Sequence, residues 1–77
     1  MENLAGKKLL VLGASENEKE IIRCARKLGI YVIATDSNKD WALAPAKVLA
    51  DEGWDISWSD MAALKRRCES SGVDGVI

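Results

Sequence analysis

Residues 9–18 read LLVLGASENE, and this stretch decides the predicted fold class. The apolar run from Leu9 to Leu12 ends at Gly13, which is typical of a strand buried on both faces of a parallel sheet. Ser15 and Glu18 then match a capping box, in which Ser15 Oγ accepts the N–H of Glu18 and the Glu18 carboxylate reaches the N–H of Ser15. The stretch therefore predicts a buried strand that passes through a short loop into a helix.

The predicted helix carries its apolar residues on one face, as an amphipathic helix does. These residues are Ile21, Ile22, Ala25 and Leu28. Gly29 is a natural residue for ending the helix, because glycine readily adopts the left-handed backbone found there. Residues 30–35 follow as IYVIAT, a β-branched and aromatic segment that predicts a second strand.

The rest of the chain continues to alternate helices and strands. Residues 36–40 form a polar loop, and Pro45 fits the first turn of a short helix that extends to Leu49. Residues 54–56 predict a weak third strand. Residues 73–77 begin a fourth strand.

A last helix is predicted between the third and fourth strands. Ser57 and Asp60 offer a second capping box with Ser57 as the cap, and Gly72 ends the helix. Its apolar stripe consists of Met61, Leu64 and Cys68. The element order is β-α-β-α-β-α-β, which predicts a small Rossmann-like α/β domain with a parallel sheet of about four strands and right-handed crossovers.

Composition indicates one small globular domain and excludes several kinds of site. The 77 residues are 48% hydrophobic and 30% charged, with a net charge of −1, so no basic patch suggests nucleic acid or an anionic membrane as a partner. Because the sequence has no histidine, it cannot form a Ser-His-Asp triad or a His-ligated metal site by itself. The chain also has no signal-like start and no paired cysteines, so we expect a cytoplasmic protein.

Two loops are candidate ligand-binding segments, because ligands of such sheets lie beyond the carboxyl ends of the strands. They are Gly13 to Asn17 and Asp36 to Asp40. The first loop lacks the further glycines of a dinucleotide fingerprint and the lysine of a P-loop. Acidic residues at its helix start would repel a phosphate and suit an amine or ammonium ligand. They are Glu16, Glu18 and Glu20. Equally, these carboxylates could serve only to cap the helix.

Asp36 follows Gly13 by 23 residues, close to the spacing of about 20 for a ribose-binding acid. An acid at the end of a strand is also a common loop starter. The loop begins like a calcium loop, D-x-N-x-D, but Trp41 and Lys47 stand where that motif needs Gly and Glu. We therefore expect a turn here, without a metal.

The tryptophans and cysteines have mainly structural interpretations. Trp54 and Trp58 are predicted to be partly buried, and Trp41 to be exposed, as core cover or as a contact with another domain. Cys24 and Cys68 are predicted to be small buried thiols.

Several segments in order resemble the opening of the ATP-grasp ligases, especially the group similar to the large subunit of carbamoyl-phosphate synthase. Residues 7–14 (KKLLVLGA) look like the first strand and loop of that family, and residues 27–36 (KLGIYVIATD) look like its second unit. Residues 44–52 resemble its "a-P-A…A-D-e" stretch, and residues 72–77 (GVDGVI) resemble its later strand.

This resemblance implies that residues 1–77 are a single pre-ATP-grasp-like domain, the substrate-side part of a longer ligase that joins a carboxylate to an amine or ammonia through an acyl phosphate. It implies no catalytic residue in this chain, and ATP and Mg held by downstream domains of the same parent chain. It also implies a small-molecule carboxylate substrate, and it allows a homo-oligomer. The substrate-binding residues carried over are Gly13, Ala14, Ser15, Glu16 and Asp36. Because the sequence stops at Ile77, inside a predicted strand, we expect a piece of a longer protein.

Two other functions remain open from the residues. A Rossmann-type nucleotide-binding or sensing module would use the loop after the first strand and Asp36, although most of its glycines are missing. A receiver-like domain would need clustered acids at the strand ends to bind magnesium, and the first strand ends instead in Gly13 and Ala14.

Overall fold

A computed structural model of the protein describes residues 4–77. The elements, in chain order, are β1 (Lys8–Leu12), a 3-10 turn (Glu16–Glu18), α1 (Lys19–Lys27), β2 (Tyr31–Thr35), α2 (Ala46–Leu49), β3 (Glu52–Trp54), α3 (Met61–Ser71) and β4 (Gly75–Val76). This order confirms the predicted alternation of strands and helices. Within the described part of the chain, no helix is long and apolar enough to cross a membrane.

The four strands form one parallel sheet in the order β3-β2-β1-β4. β1 lies in the interior and pairs with β2 from Lys8↔Tyr31 to Leu12↔Thr35. Its other side pairs with β4 through Leu9↔Gly75 and Leu10↔Val76. The chain winds from β1 towards β3 and then returns to the far side of β1, so strand order reverses between β1 and β4. The predicted Rossmann-like α/β class is therefore correct.

The sheet separates two apolar cores, because successive side chains of a strand point to opposite faces. The face covered by α1 and α2 contains Val11, Ala14, Ile22, Ala25, Val32, Ala34, Ala44 and Ala46. The face covered by α3 contains Leu10, Ile33, Trp54 and Leu64. The continuous apolar run of β1 thus serves both faces, as its sequence predicts, although Leu12 at its end is partly exposed.

The buried stripes of the helices are narrower than predicted. In α1, Ile22 is completely buried, but its neighbour Ile21 is 43% exposed. Leu28 lies after the last residue of α1, so it is off the helical face and exposed. In α3, Leu64 is buried and Met61 is exposed at the first turn. Only Ile22 and Ala25 of α1 and Leu64 of α3 are buried, so few positions of these two helices contribute to the cores.

Both predicted capping boxes differ in detail. Ser15 Oγ accepts the N–H of Asn17 at 3.4 Å, not that of Glu18, because a 3-10 turn precedes α1. The Glu18 carboxylate accepts the Ser15 hydroxyl proton rather than the backbone N–H. In α3 the cap is Asp60, which accepts the N–H of Ala63 at 3.2 Å, and Ser57 instead accepts the N–H of Ser59 in the preceding turn.

The segment around the third strand is also shifted. β3 spans Glu52–Trp54, two residues earlier than predicted, because this segment pairs with Ile33–Thr35 of β2. Trp54 is almost completely buried, deeper than the predicted partial burial, and the same prediction is wrong for Trp58, which lies in the following loop and is 64% exposed. Gly29 and Gly72 follow α1 and α3 with positive φ, as predicted for residues that end a helix.

Candidate functional site

The two predicted ligand-binding loops meet at the carboxyl edge of β1 and β2. The N–H of Gly13 donates to the carbonyl of Thr35 at 2.8 Å, which continues the pairing of β1 and β2 into the loops. The N–H of Ala14 donates to Asp36 Oδ2 at 3.2 Å. The other carboxylate oxygen of Asp36 accepts the N–H of Asn38 at 2.9 Å. Asp36 therefore closes its own turn and also fastens it to the loop after β1.

The loop after β1 is shaped by a glycine and a carboxylate. Gly13 has φ +106°, a conformation that residues with a β-carbon rarely adopt. A β-carbon at this position would overlap a carboxylate oxygen of Glu18. The same carboxylate accepts the hydroxyl proton of Ser15. A negative charge thus lies against the glycine, where a phosphate-binding loop needs room for an anion.

The remaining predicted residues occupy different depths. Ala14 is completely buried, and its carbonyl accepts the N–H of Ala46 at 3.0 Å. Ser15 is half-buried, and Glu16 is exposed at the rim, where it pairs with Lys19 at 2.9 Å. The fold therefore brings all five predicted substrate-binding positions to one edge, with Ala14 beneath the loop rather than on its surface.

Sequence reasoning missed Lys47, a completely buried lysine next to this edge. Its Nζ donates to the carbonyls of Asp36 and Asn38 at 3.0 and 2.7 Å and to Asp55 Oδ1 at 2.7 Å. A buried ammonium needs acceptors for its three protons, and Lys47 has three. The sequence pattern does not predict a buried ammonium at this position, because a lysine on a four-residue helix normally extends into solvent.

Asp55 is the acidic partner in this cluster. The hydrogen bond from Lys47 is the main cause that lowers the pKa of the Asp55 carboxyl, although desolvation opposes the shift. Trp41 contributes a further hydrogen bond that lowers the same pKa. Trp41 is also partly exposed, as predicted. The Lys47 ammonium therefore connects the loop after β2 to the loop after β3.

A second polar cluster lies on the sheet face that α3 covers. Glu52 accepts hydrogen bonds from the indole N–H of Trp54 and, at 2.9 Å, from the hydroxyl of Tyr31. The bond from Trp54 is the main cause that lowers the pKa of the Glu52 carboxyl. The guanidinium of Arg67 lies 5.0 Å from the centre of the Trp54 ring. These contacts hold β2, β3 and α3 together, away from the candidate site.

The cysteine prediction is wrong for Cys24, which is exposed on the outer side of α1. Cys68 is half-buried in α3, where desolvation, followed by the charge of Glu69, raises the pKa of its thiol. Among the residues from 4 onward, no three side chains of the His, Cys, Asp and Glu types are grouped as a metal site.

Comparison with known proteins shows relatives of much greater length. No protein-family model matches the chain. It is 39% identical to a formate-dependent phosphoribosylglycinamide formyltransferase of Prochlorococcus marinus over 71 residues, which are 92% of this chain and 17% of that protein. It is 43% identical to the enzyme of the same name from Chlorobium phaeobacteroides over 58 residues, which are 75% of this chain and 14% of that protein.

The fold has counterparts among solved structures. N5-carboxyaminoimidazole synthetase from Staphylococcus aureus, complexed with ADP, superimposes with a TM-score of 0.79 at 22% identity, over all of this chain and 20% of that one. A further crystal structure of that synthetase gives a TM-score of 0.77 over 94% of this chain. The formyltransferases and the synthetase are ATP-grasp enzymes. In sequence this chain is similar to a part of the formyltransferases, and in fold it is similar to a part of the synthetase, which matches the expected resemblance to the N-terminal domain of an ATP-grasp ligase.

Proposed function

We propose that the chain is the substrate-side domain of an ATP-dependent ligase that joins a carboxylate to an amine or ammonia. ATP phosphorylates the carboxylate, and the nitrogen nucleophile then displaces phosphate from the acyl phosphate. The observation that carries the proposal is the similarity itself, which covers 92% of this chain but only 17% of its relative. Residues 1–77 would then act as one domain beside further ATP-grasp domains, without catalysing the reaction alone.

The charge of the loop after β1 supports the assignment of substrate contact to this domain and of ATP binding to other domains. The Glu18 carboxylate lies against Gly13 and is bonded to Ser15, so this helix start would repel a triphosphate. The loop therefore does not fit the triphosphate of ATP, and from residue 4 onward no three carboxylates are grouped as a magnesium site, so we assign ATP and magnesium to other domains of the parent protein. The same charge suits an amine or ammonium group.

We assign substrate contact to the two loops at the carboxyl edge. Gly13, Ser15 and Glu16 would face the substrate, and Ala14 would support the loop from beneath. Asp36 would add its carboxylate, since each oxygen that accepts a backbone N–H keeps a second lone pair. This edge lies beside the point at which strand order reverses, the usual ligand position in open α/β sheets.

Two measurements test the proposal. Isothermal titration calorimetry of the 77-residue chain with ATP and Mg should give no binding, and micromolar affinity would contradict it. The parent protein, produced from the complete gene, should release ADP and phosphate only when both a carboxylate and an amine or ammonia are present.

In that protein Ser15→Ala should raise KM for the carboxylate or the amine, with KM for ATP unchanged. Lys27→Met, on the outer face of α1, is the matched control.

One contact favours a second candidate, a Rossmann-type nucleotide-binding module. Asp36 lies at the end of β2 beside the loop after β1, which is where a ribose-binding acid would be. Titration of the 77-residue chain with NAD, NADP and coenzyme A separates the two functions. Tight binding of any of these would favour the nucleotide module over the ligase domain.

A further inference from the structure

The segment Ala46–Lys47 at the start of α2 contacts all three loops that leave β1, β2 and β3. The N–H of Ala46 donates to the carbonyl of Ala14 in the first loop, at 3.0 Å. The Lys47 ammonium reaches the second loop through the carbonyls of Asp36 and Asn38, and the third through Asp55.

Because Lys47 is buried, its ammonium depends on these contacts for its hydrogen-bond acceptors. Lys47 is 1% exposed, and its ammonium has exchanged water for three protein oxygens at 2.7 to 3.0 Å. An ammonium this deep is stable only while its acceptors stay in place, because an unpaired buried charge is strongly destabilising. The two carbonyls are consequently held at fixed positions relative to α2 and Asp55.

Those two carbonyls belong to the turn that presents the Asp36 side chain. Asp36 Oδ1 accepts the N–H of Asn38, and Asp36 Oδ2 accepts the N–H of Ala14. Movement of the turn would therefore carry the carboxylate away from the loop after β1. Lys47 restrains this turn through its two backbone carbonyls.

We propose that Lys47 is a positioning residue of the candidate site: its ammonium fixes the turn at residues 36–38 so that the Asp36 carboxylate meets the N–H of Ala14. The statement that this site contacts a substrate rests on the proposed function. Lys47 acts through Asp36 and does not touch the substrate. A lysine that only stabilised the fold would protect the whole sheet equally.

Amide hydrogen exchange of the 15N-labelled 77-residue chain, followed by NMR without ligand, tests this difference. In Lys47→Met, which keeps the apolar part of the side chain, exchange at Ala14 and Asn38 should accelerate by about tenfold or more, the expected effect of losing a charged hydrogen bond. Exchange at Val11 and Ile33, in the two central strands, should accelerate much less. Lys27→Met removes an exposed lysine and should leave all four rates unchanged.

Equal acceleration at all four amides, or unchanged rates at Ala14 and Asn38, would overturn the proposal. Asp55→Asn provides a second variant in case Lys47→Met does not fold, because the amide keeps an oxygen that can accept a hydrogen bond from Lys47 while the negative charge is removed. It should accelerate exchange at Asn38 and Ala14 more than at Val11, and wild-type rates there would count against Lys47. The measurement involves no ATP, so a failed ligase assay leaves its result unaffected.

Discussion

The carboxylate of Glu18 lies against the α-carbon of Gly13, in the space that a β-carbon at residue 13 would occupy. The contact joins the end of β1 to the 3-10 turn before α1. Two constraints therefore act on residue 13. One constraint is the positive φ of the backbone, and the other is the overlap of an added β-carbon with Glu18. Because the Glu18 carboxylate is the far end of a flexible side chain and can move, the positive φ decides how much a substitution destabilises the fold.

Gly13→Ala should lower the free energy of unfolding by about 1–3 kcal/mol, because alanine would be forced into a sparsely populated backbone conformation. Urea denaturation followed by circular dichroism measures the change. Gly75→Ala is the control, since its added β-carbon would meet only Leu9 Cδ1, at an ordinary 3.7 Å. Equal losses for the two variants would show that φ at residue 13 is not the constraint.

The adjacent isoleucines of α1 should differ sharply in their contribution to stability. Ile22→Ala removes a completely buried side chain from the core between α1 and the sheet, and should cost about 2–5 kcal/mol. Ile21→Ala removes the same atoms from a 43% exposed position and should cost less than about 1 kcal/mol. Thermal or urea unfolding of both variants checks the prediction, and similar costs would mean that the helix is rotated from the position described.

The cap of α3 can be tested with a second matched pair. Asp60→Ala removes the acceptor of the Ala63 N–H and should lower the free energy of unfolding by about 0.5–2 kcal/mol. Ser57→Ala affects only the preceding turn and should have a smaller effect. If Ser57→Ala proved the more destabilising in urea titrations, the helix would begin at the earlier capping box.

Acid should destabilise the protein through Asp55 and Glu52. Hydrogen bonds lower the folded-state pKa of both carboxyls, so their ionised forms stabilise the fold. That contribution is complete above the unfolded-state pKa values of about 4, and it is lost as pH falls through the lower folded-state values. Urea titrations between pH 7 and pH 2 should show this loss.

Glu52→Gln should flatten the acid limb of that stability profile, because the amide does not titrate. Glu69→Gln changes an exposed carboxylate of α3 and serves as the control. An acid limb of unchanged steepness in Glu52→Gln would show that this carboxylate does not contribute to the acid sensitivity.

The two thiols should react at different rates. Cys24 is exposed, whereas Cys68 is half-buried and the pKa of its thiol is raised. Because the thiolate is the reactive form, a maleimide or disulfide reagent at pH 8 should modify Cys24 first. Cys24→Ser should remove the fast phase and Cys68→Ser the slow one. A single phase of two equivalents would contradict the difference in environment.

Much of the fold was predictable because its signals are local. The apolar run of β1, the β-branched β2, and the glycines after α1 and α3 each act within a few residues, and their order leads to a parallel sheet. The meeting of Gly13, Ala14, Ser15 and Asp36 at one edge also followed, since parallel strands deliver their following loops to the same side.

The details that failed depend on distant contacts. β3 begins at Glu52 because that segment pairs with β2, a choice that the local pattern around Trp54 does not contain. The exposure of Trp58 and Cys24 depends likewise on which surfaces the sheet leaves uncovered. Lys47 is the clearest case, because its three acceptors lie 8 to 11 residues away in sequence and belong to two other loops.

By itself the sequence determined the alternation of strands and helices, the parallel sheet, and the edge at which the two loops of the candidate site meet, since hydrophobic periodicity and glycine conformations act locally along the chain. Only the tertiary structure decided that Lys47 of α2 is buried next to that edge and that the Glu18 carboxylate fills the space where a β-carbon of residue 13 would lie. Burial and charge pairing depend on atoms brought together from separate segments, and no local pattern of residues specifies them.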